Sequence, residues 1–239
     1  MLSFLEEHMK EKKERYFTNG ELILWCASVA LVLISFFIFG GSGTLTLAAS
    51  LIGVTSLIFN AKGNPFGQFL MIVFSLLYGV ISFSYSYYGE MITYLGMTAP
   101  MALFALISWL CHPYKGRRSQ VTVKRLSGKE ISFMLVFTVL VTVLFYFVLA
   151  YFHTENLALS TISVTTSFLA VYMTFRRSPY FALAYAANDV VLILLWILAT
   201  RENTAYVSVV VCFAAFLLND LYCFYNWLRM EKQQSSAHS

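Results

Sequence analysis

Eight long apolar runs dominate this chain and constrain what it can fold into. Each is about 20 residues long, which is the length an α-helix needs to cross roughly 30 Å of hydrocarbon. Only 12% of the 239 residues are charged, about half the share found in soluble globular domains. The runs cover residues 21–41, 43–61, 65–88, 91–112, 130–152, 156–175, 180–200 and 204–228. The sequence therefore predicts an all-α integral membrane protein with eight transmembrane helices.

The basic residues predict the orientation of these helices. An even number of spans places both termini on one side, and Lys and Arg collect in cytoplasmic segments. With the N-terminal segment (Lys10, Lys12, Lys13 and Arg15) inside, only Arg201 of the 16 Lys and Arg residues lies outside. We therefore predict that both termini are cytoplasmic. The basic stretch 115–129 is interpreted as a cytoplasmic loop, with a patch for anionic lipid as the alternative and no nucleic-acid partner.

Two segments of the chain resemble each other. Residues 52–56 (IGVTS) are similar to residues 162–166 (ISVTT), and each segment is followed by a turn with a proline, Pro65 or Pro179, that opens the next run. This predicts a 3+1+3 parallel repeat core plus an extra N-terminal helix, an arrangement typical of transporters. The units are 1–42 (cytoplasmic N-terminus and extra helix), 43–112 (first three-helix repeat), 113–152 (basic cytoplasmic loop and linker helix), 153–229 (second three-helix repeat) and 230–239 (cytoplasmic tail).

Asp189 and Asp220 are the only two of the 12 acidic residues that fall neither in a predicted loop nor at a helix end. Each lies about 13 Å from the predicted cytoplasmic edge, since a helix rises 1.5 Å per residue. An ionisable group at this depth is costly and usually marks a pathway or a ligand site. We therefore predict that the two Asn-Asp pairs face each other and handle substrate or protons.

Helical spacing adds further candidates. Tyr185 and Trp196 share the face of Asp189, Tyr222 shares the face of Asn219, and Gln68 begins a stripe of small polar residues that ends at Ser86. Such stripes are more often packing surfaces, and the Asn residues could instead link helices. Trp196 is either a site wall or an interfacial anchor, whereas Trp109 is interpreted as interfacial. The candidate substrate-binding residues are Gln68, Tyr185, Asn188, Asp189, Trp196, Asn219, Asp220 and Tyr222.

Amides, carboxylates and aromatic rings favour a neutral or cationic ligand that has a flat ring and several hydroxyl groups. No Lys or Arg lies deep in a predicted span to hold a phosphate, which disfavours phosphorylated ligands. The four cysteines lack metal-type spacing, and neither HExxH, GxSxG nor a P-loop is present. We therefore expect no metal, no cofactor and no ATP-driven pump, and an intramembrane enzyme is the less favoured alternative class.

Several segments resemble the PnuC family of bacterial nicotinamide riboside transporters. They are residues 62–68 (KGNPFGQ), residues 87–92 (YYGEMI, which begins with Tyr87), Pro100, Trp109, the Asn188-Asp189 pair with Trp196, and residues 219–227. The resemblance covers most of residues 45–228. The chain departs from the family at residues 180–185 (YFALAY), where many members carry a WxxW element. This departure leaves thiamine and riboflavin as alternative substrates.

The resemblance implies a core similar to that of the SWEET sugar transporters, in the cytoplasmic membrane of a bacterium. It also implies a homotrimer that takes up nicotinamide riboside by facilitated diffusion, with alternating access, for NAD biosynthesis. By that resemblance, Gln68, Asn188 and Asn219 contact the carboxamide or the ribose, and aromatic residues of the last two helices enclose the ring. A proton-coupled carrier is a variant that the two buried acids suggest.

Overall fold

The structure, a computed structural model, describes residues 16–39, 43–84, 88–201 and 203–237. Within these ranges eight helices are long and apolar enough to cross a membrane, which confirms the prediction from the apolar runs. They are α1 (Asn19–Ile38), α2 (Thr44–Ala61), α3 (Pro65–Ser84), α4 (Tyr88–Cys111), α5 (Gly128–Tyr151), α6 (Leu157–Phe175), α7 (Phe181–Ala199) and α8 (Val207–Ser236). The N-terminal basic residues named above, Ser86 and Tyr87 lie outside the described residues.

Helix α4 contains a π-helical turn, Tyr94–Thr98, that was not predicted. Pro100 has no N–H group for the carbonyl of Gly96, and its ring would clash with that carbonyl in a regular α-helix. The turn takes in one extra residue, so that the N–H of Ala99 donates to the carbonyl of Tyr94. Tyr94 and Thr98 are both buried there, on the inner side of the helix.

The helices pack as two triplets. Within each triplet, α2–α3–α4 and α6–α7–α8, helices that are consecutive in the chain are in contact. The triplets meet through α2 against α8 and through α4 against α6, while α5 packs on α6 and α1 packs on α2 and α8. Exchanging α2, α3 and α4 for α6, α7 and α8 reproduces the contacts within each triplet and the two contacts between the triplets. The parallel repeat stays a prediction, and this packing supports it.

The C-terminal caps of α2 and α6 also correspond. Gly63 (φ 65°) and Arg177 (φ 60°) both adopt the left-handed conformation after the helix, and each donates its N–H to the carbonyl three residues earlier. Gly63 and Arg177 are separated in the sequence by the same number of residues as Pro65 and Pro179. Relative to that spacing, the similar segments 52–56 and 162–166 are displaced by about one helical turn. Pro65 is the first residue of α3, whereas Pro179 lies two residues before α7.

Two buried tryptophans tie the triplets together at these caps. The indole of Trp109 on α4 donates to the carbonyl of Thr174 at 2.9 Å, and that of Trp227 on α8 donates to the carbonyl of Asn60 at 2.8 Å. The two rings lie 5.3 Å apart, and neither is exposed. The interpretation of Trp109 as an interfacial residue was therefore wrong, because a position near a helix end does not say which way the side chain points.

We expect replacement of Trp109 or Trp227 by Phe to destabilise the fold by about 1–3 kcal/mol. Each change removes one buried hydrogen bond and leaves space beside the remaining ring. Trp25→Phe is the control, because the Trp25 indole is only half-buried and donates over 3.3 Å to the hydroxyl of Thr55. Thermal unfolding of the purified protein measures the difference, and equal melting temperatures for all three variants would contradict it.

The segment after α4 contains a short antiparallel hairpin, β1 (Pro113–Tyr114) and β2 (Arg117–Val121), where we predicted a loop. We call residues 113–127 the strap. It contacts both caps, because the N–H of Val121 donates to the carbonyl of Gly63 and the N–H of Lys124 to that of Arg177. Helix α8 extends to Ser236, beyond the predicted end of its span, and Gln234 bonds the strap at Val121 and Val123.

Candidate functional site

A small cavity lies between the two triplets, with side chains from α2, α3, α4, α6, α7 and α8 in its wall. Its volume is about 40 Å³, which accommodates very few water molecules. The polar part of the wall consists of Thr98, Ser167, Tyr185, Asn188, Asp189 and Asp220. Four of the eight candidate residues therefore lie together around one space.

Asp189 on α7 and Asp220 on α8 form a carboxyl pair in this wall. They are 4% and 3% exposed, and their carboxyl groups lie close enough to interact. Two ionised carboxylates side by side in a buried space repel each other, so such a pair favours one shared proton. One oxygen of Asp189, Oδ2, is buried without a hydrogen-bond partner among the described residues. The pair thus offers the cavity a buried oxygen that can accept a bond from a ligand.

Asn188 is held in place by helix α6. Its amide oxygen accepts hydrogen bonds from the hydroxyls of Ser163 at 3.1 Å and Thr166 at 2.9 Å. With the oxygen occupied, the group that Asn188 can offer to a ligand is its amide NH₂, a donor. One side of the cavity therefore combines an amide donor with carboxyl acceptors.

An aromatic wall completes the cavity, and sequence reasoning missed it. It consists of Phe74 from α3, Tyr94 from α4, and Phe213 and Phe216 from α8. The Phe74 ring lies 5.9 Å from the rings of both Tyr94 and Phe216, and Phe213 lies 5.6 Å from Phe216. Such rings provide flat apolar surface and an attraction for cations. We expected the aromatic residues to come from α7 and α8, and of these only Tyr185 and the two Phe residues line the cavity.

Two other candidates on α8 point away from the cavity. The amide nitrogen of Asn219 donates to the hydroxyl of Ser28 on α1 at 2.8 Å, and the phenol of Tyr222 donates to Glu21 on α1 at 2.9 Å. Asn219 is therefore absent from the cavity wall, which contains its neighbour Asp220. The expectation that both Asn-Asp pairs face each other was therefore wrong for Asn219.

Gln68 and Trp196 do not line the cavity. Gln68 donates to the side chain of Asn60 at 2.9 Å, beside the α2 cap. Trp196 lies near the end of α7, where its ring is 5.3 Å from that of Tyr206. In the stripe that Gln68 begins, Gly79 lies so close to Leu95 that a Cβ atom would come within 2.5 Å of that side chain. Gly79 is therefore a packing position within the stripe.

The wall of the cavity contains carboxyl groups and, within the described part of the chain, no Lys, Arg or His. Its electrostatic character therefore suits a cation or a neutral polar molecule and disfavours an anion.

In residues 180–185, the segment that departs from the WxxW element, Phe181 packs against Trp227 with ring centroids 4.8 Å apart, and Tyr180 is exposed. Only Tyr185 of that segment lines the cavity.

Comparisons with known proteins place the chain in a family. Residues 43–229 match the family model described as nicotinamide mononucleotide transporter. The chain belongs to this family of membrane transporters. Its members are transporters and not enzymes, and the matched region contains every residue that lines the cavity.

Two curated relatives carry the name nicotinamide riboside transporter PnuC. The relative from Neisseria mucosa is 24% identical over 83% of this chain and 77% of its own length. The relative from Haemophilus influenzae is 22% identical over 88% of this chain and 91% of its own length. A crystal structure of the vitamin B3 transporter PnuC has the same fold, with a TM-score of 0.79, 19% identity, and 91% of this chain and 94% of that chain covered.

Proposed function

We propose that this family member takes up nicotinamide riboside by facilitated diffusion. The observation that carries the proposal is the carboxyl pair, Asp189 and Asp220, in a cavity with aromatic walls. Nicotinamide riboside contains a flat pyridinium ring with a positive charge, a carboxamide and ribose hydroxyls. Aromatic rings and carboxyl groups attract the charge, while hydroxyl and amide groups bond to Asn188 and the carboxyl oxygens.

The family description names the mononucleotide, whereas both curated relatives are named for the riboside. The charges of the cavity favour the riboside for this chain. A phosphate group would enter a buried space beside two carboxyl groups, with no Lys, Arg or His in the described wall to bind it. Burial of an uncompensated anion there is costly.

The size of the cavity supports a transport cycle with alternating access. A space of about 40 Å³ is far smaller than the roughly 300 Å³ or more of typical ligand pockets. Nicotinamide riboside therefore requires the triplets to move apart, and we propose that they rock about their α2–α8 and α4–α6 contacts. The sequence has no P-loop to drive this cycle with ATP, which favours uniport.

The remaining features of the proposal come from charge and resemblance. The excess of Lys and Arg on the side of the caps and the strap supports cytoplasmic termini. The family resemblance supports the cytoplasmic membrane of a bacterium and a homotrimer. The outer face of α5 is apolar and exposed over most of its length, as expected for a surface that contacts lipid or another copy.

Calorimetry on the purified protein tests the substrate. We expect nicotinamide riboside to bind at least about tenfold more tightly than the mononucleotide, a difference of about 1.4 kcal/mol. Thiamine and riboflavin are the matched competitors, and either of them binding more tightly than the riboside would reassign the substrate. Equal or tighter binding of the mononucleotide would contradict the charge argument.

A proton-coupled carrier is the second candidate, because two neighbouring buried carboxyl groups can share a proton that transport could move. Uptake of labelled riboside into proteoliposomes distinguishes the two mechanisms. Uniport predicts the same uptake with and without a pH gradient. Coupling predicts that an imposed gradient changes the steady-state accumulation.

A further inference from the structure

Three basic side chains gather at the end of α6, far from the carboxyl pair. Arg176 and Arg177 follow the last turn of this helix, and Lys124 of the strap lies beside them. The nearby acid is Glu130 in the first turn of α5, which forms ion pairs with Arg176 and, at 3.2 Å, with Lys124. Glu130 also accepts a hydrogen bond from the N–H of Ser127 at 3.0 Å. One carboxylate therefore serves two cations and a helix cap, and the cluster keeps an excess of positive charge.

The guanidinium group of Arg177 has no acidic partner among the described residues. Arg177 is only 9% exposed, and its Nε atom makes no hydrogen bond to any described residue. The Nε atom of Arg176 is likewise buried and unpartnered. Because burial of an unpaired charge is unfavourable, a guanidinium group in this position indicates a missing counter-ion.

The charges in the cluster repel one another. Burial and the adjacent Arg176 lower the pKa of the Arg177 guanidinium below its ordinary value. Desolvation and the two guanidinium charges lower the pKa of Lys124. An anion between these groups would relieve the repulsion and provide acceptors for the free N–H groups.

The backbone of Arg177 is also unfavourable for its residue type. Its φ angle of 60° is left-handed, and the corresponding cap of α2 has glycine at this position, Gly63, with a φ of 65°. Left-handed backbone disfavours any residue with a Cβ atom, and glycine adopts it freely. Glycine would therefore be the more stable residue at this cap, and the presence of arginine indicates that its side chain has a function of its own.

We propose that Lys124, Arg176 and Arg177 bind a phosphate group at the surface of the membrane. Guanidinium groups match phosphate oxygens with two parallel hydrogen bonds, and a lysine adds a third, more mobile donor. The phosphate can belong to the headgroup of an anionic lipid or to a soluble phosphate ester. The neighbouring Tyr180 and, within one turn of Glu130, Ile131 and Phe133 are exposed apolar side chains beside which an acyl chain could lie.

The test measures the melting temperature of the purified full chain in detergent with dioctanoyl phosphatidylglycerol, dioctanoyl phosphatidylcholine or inorganic phosphate. We expect phosphatidylglycerol to raise the melting temperature more than phosphatidylcholine does. An equal rise with inorganic phosphate assigns the site to a soluble phosphate, and a much smaller rise assigns it to a lipid headgroup. No rise beyond that with phosphatidylcholine, from either anion, overturns the proposal.

Arg177→Gly is the decisive variant, because glycine keeps the left-handed cap. Without ligand, it should melt at the same or a higher temperature than the wild type, and its affinity for the anion should be at least about tenfold lower. Arg117→Gln removes the same charge from the exposed strand β2 and should leave the response unchanged. Lys124→Gln, whose backbone bond to Arg177 is retained, is the second variant and should bind several-fold more weakly. Equal responses of Arg177→Gly, Lys124→Gln and the wild type overturn the proposal.

Discussion

Replacement of Asp189 by Asn is expected to weaken the binding of nicotinamide riboside by about thirtyfold or more. The change keeps the size of the side chain but removes the carboxyl group whose Oδ2 atom is buried and free to accept a bond. Loss of one partner from a buried charged contact costs roughly 2–5 kcal/mol, and the lower bound corresponds to the stated factor. Calorimetry on purified protein measures the affinity, and uptake into proteoliposomes should decrease with it.

Tyr222→Phe is the control for this variant. Both Asp189 and Tyr222 were predicted from the sequence to bind substrate. The phenol of Tyr222, however, donates a hydrogen bond to Glu21 on α1 and lies outside the cavity wall. Its replacement should therefore leave the affinity for the riboside within about threefold, which is below 1 kcal/mol. The unfolding temperature of Asp189→Asn should not decrease, since the variant buries no new charge. A loss of binding in Tyr222→Phe with normal binding in Asp189→Asn would contradict the position assigned to the site.

The count of helices was predictable from the sequence because it depends on length and apolarity alone. A run of about 20 apolar residues satisfies its backbone in lipid only as a helix. The depth of Asp189 and Asp220 followed from the rise per residue, and the structure places these two side chains in contact. Such arguments use one helix at a time and need no knowledge of its neighbours.

The direction in which each side chain points could not be predicted in the same way. It depends on the rotation of each helix about its axis, which its packing partners determine. Asn219 faces Ser28 because α1 packs against α8, and no spacing along α8 indicates that contact. Phe74 and Tyr94 likewise meet only in the folded molecule, and the π-helical turn before Pro100 rotates Tyr94 relative to a regular helix.

The strap was missed for a related reason. Its residues are basic and follow a long apolar run, as in any cytoplasmic loop, so composition alone predicts an unstructured segment. The bonds that order it reach Gly63, Arg177 and Gln234, which are distant in the sequence. The left-handed conformation of Arg177 could not be predicted either, because arginine rarely adopts it. It becomes recognisable only when Arg177 is compared with Gly63, which has the same conformation in the corresponding cap.

The largest expected effect on stability comes from Gly67→Ala, at the contact between α3 and the cap of α2. A Cβ atom on Gly67 would lie 2.7 Å from the backbone nitrogen of Asn60 and 2.8 Å from its Cγ atom, and it would also clash with its Oδ1 atom. Backbone atoms cannot rotate aside, so the start of α3 must move away from α2. That movement would weaken the bonds that Asn60 accepts from Gln68 and Trp227. We expect a loss of about 3 kcal/mol or more, at the upper end of the range for overpacking.

Gly96→Ala is the matched control, because the nearest atom to a Cβ at Gly96 is 3.8 Å away, an ordinary contact distance. This variant should unfold within about 1 kcal/mol of the wild type, since alanine is the better helix former. Fluorescence-detected size-exclusion chromatography after heating measures both variants side by side. If Gly67→Ala retained the wild-type melting temperature, α3 and the α2 cap would have to be farther apart than described. The bond from Trp227 to Asn60, which joins the two triplets at the α2 cap, would then be less important for the fold than we infer.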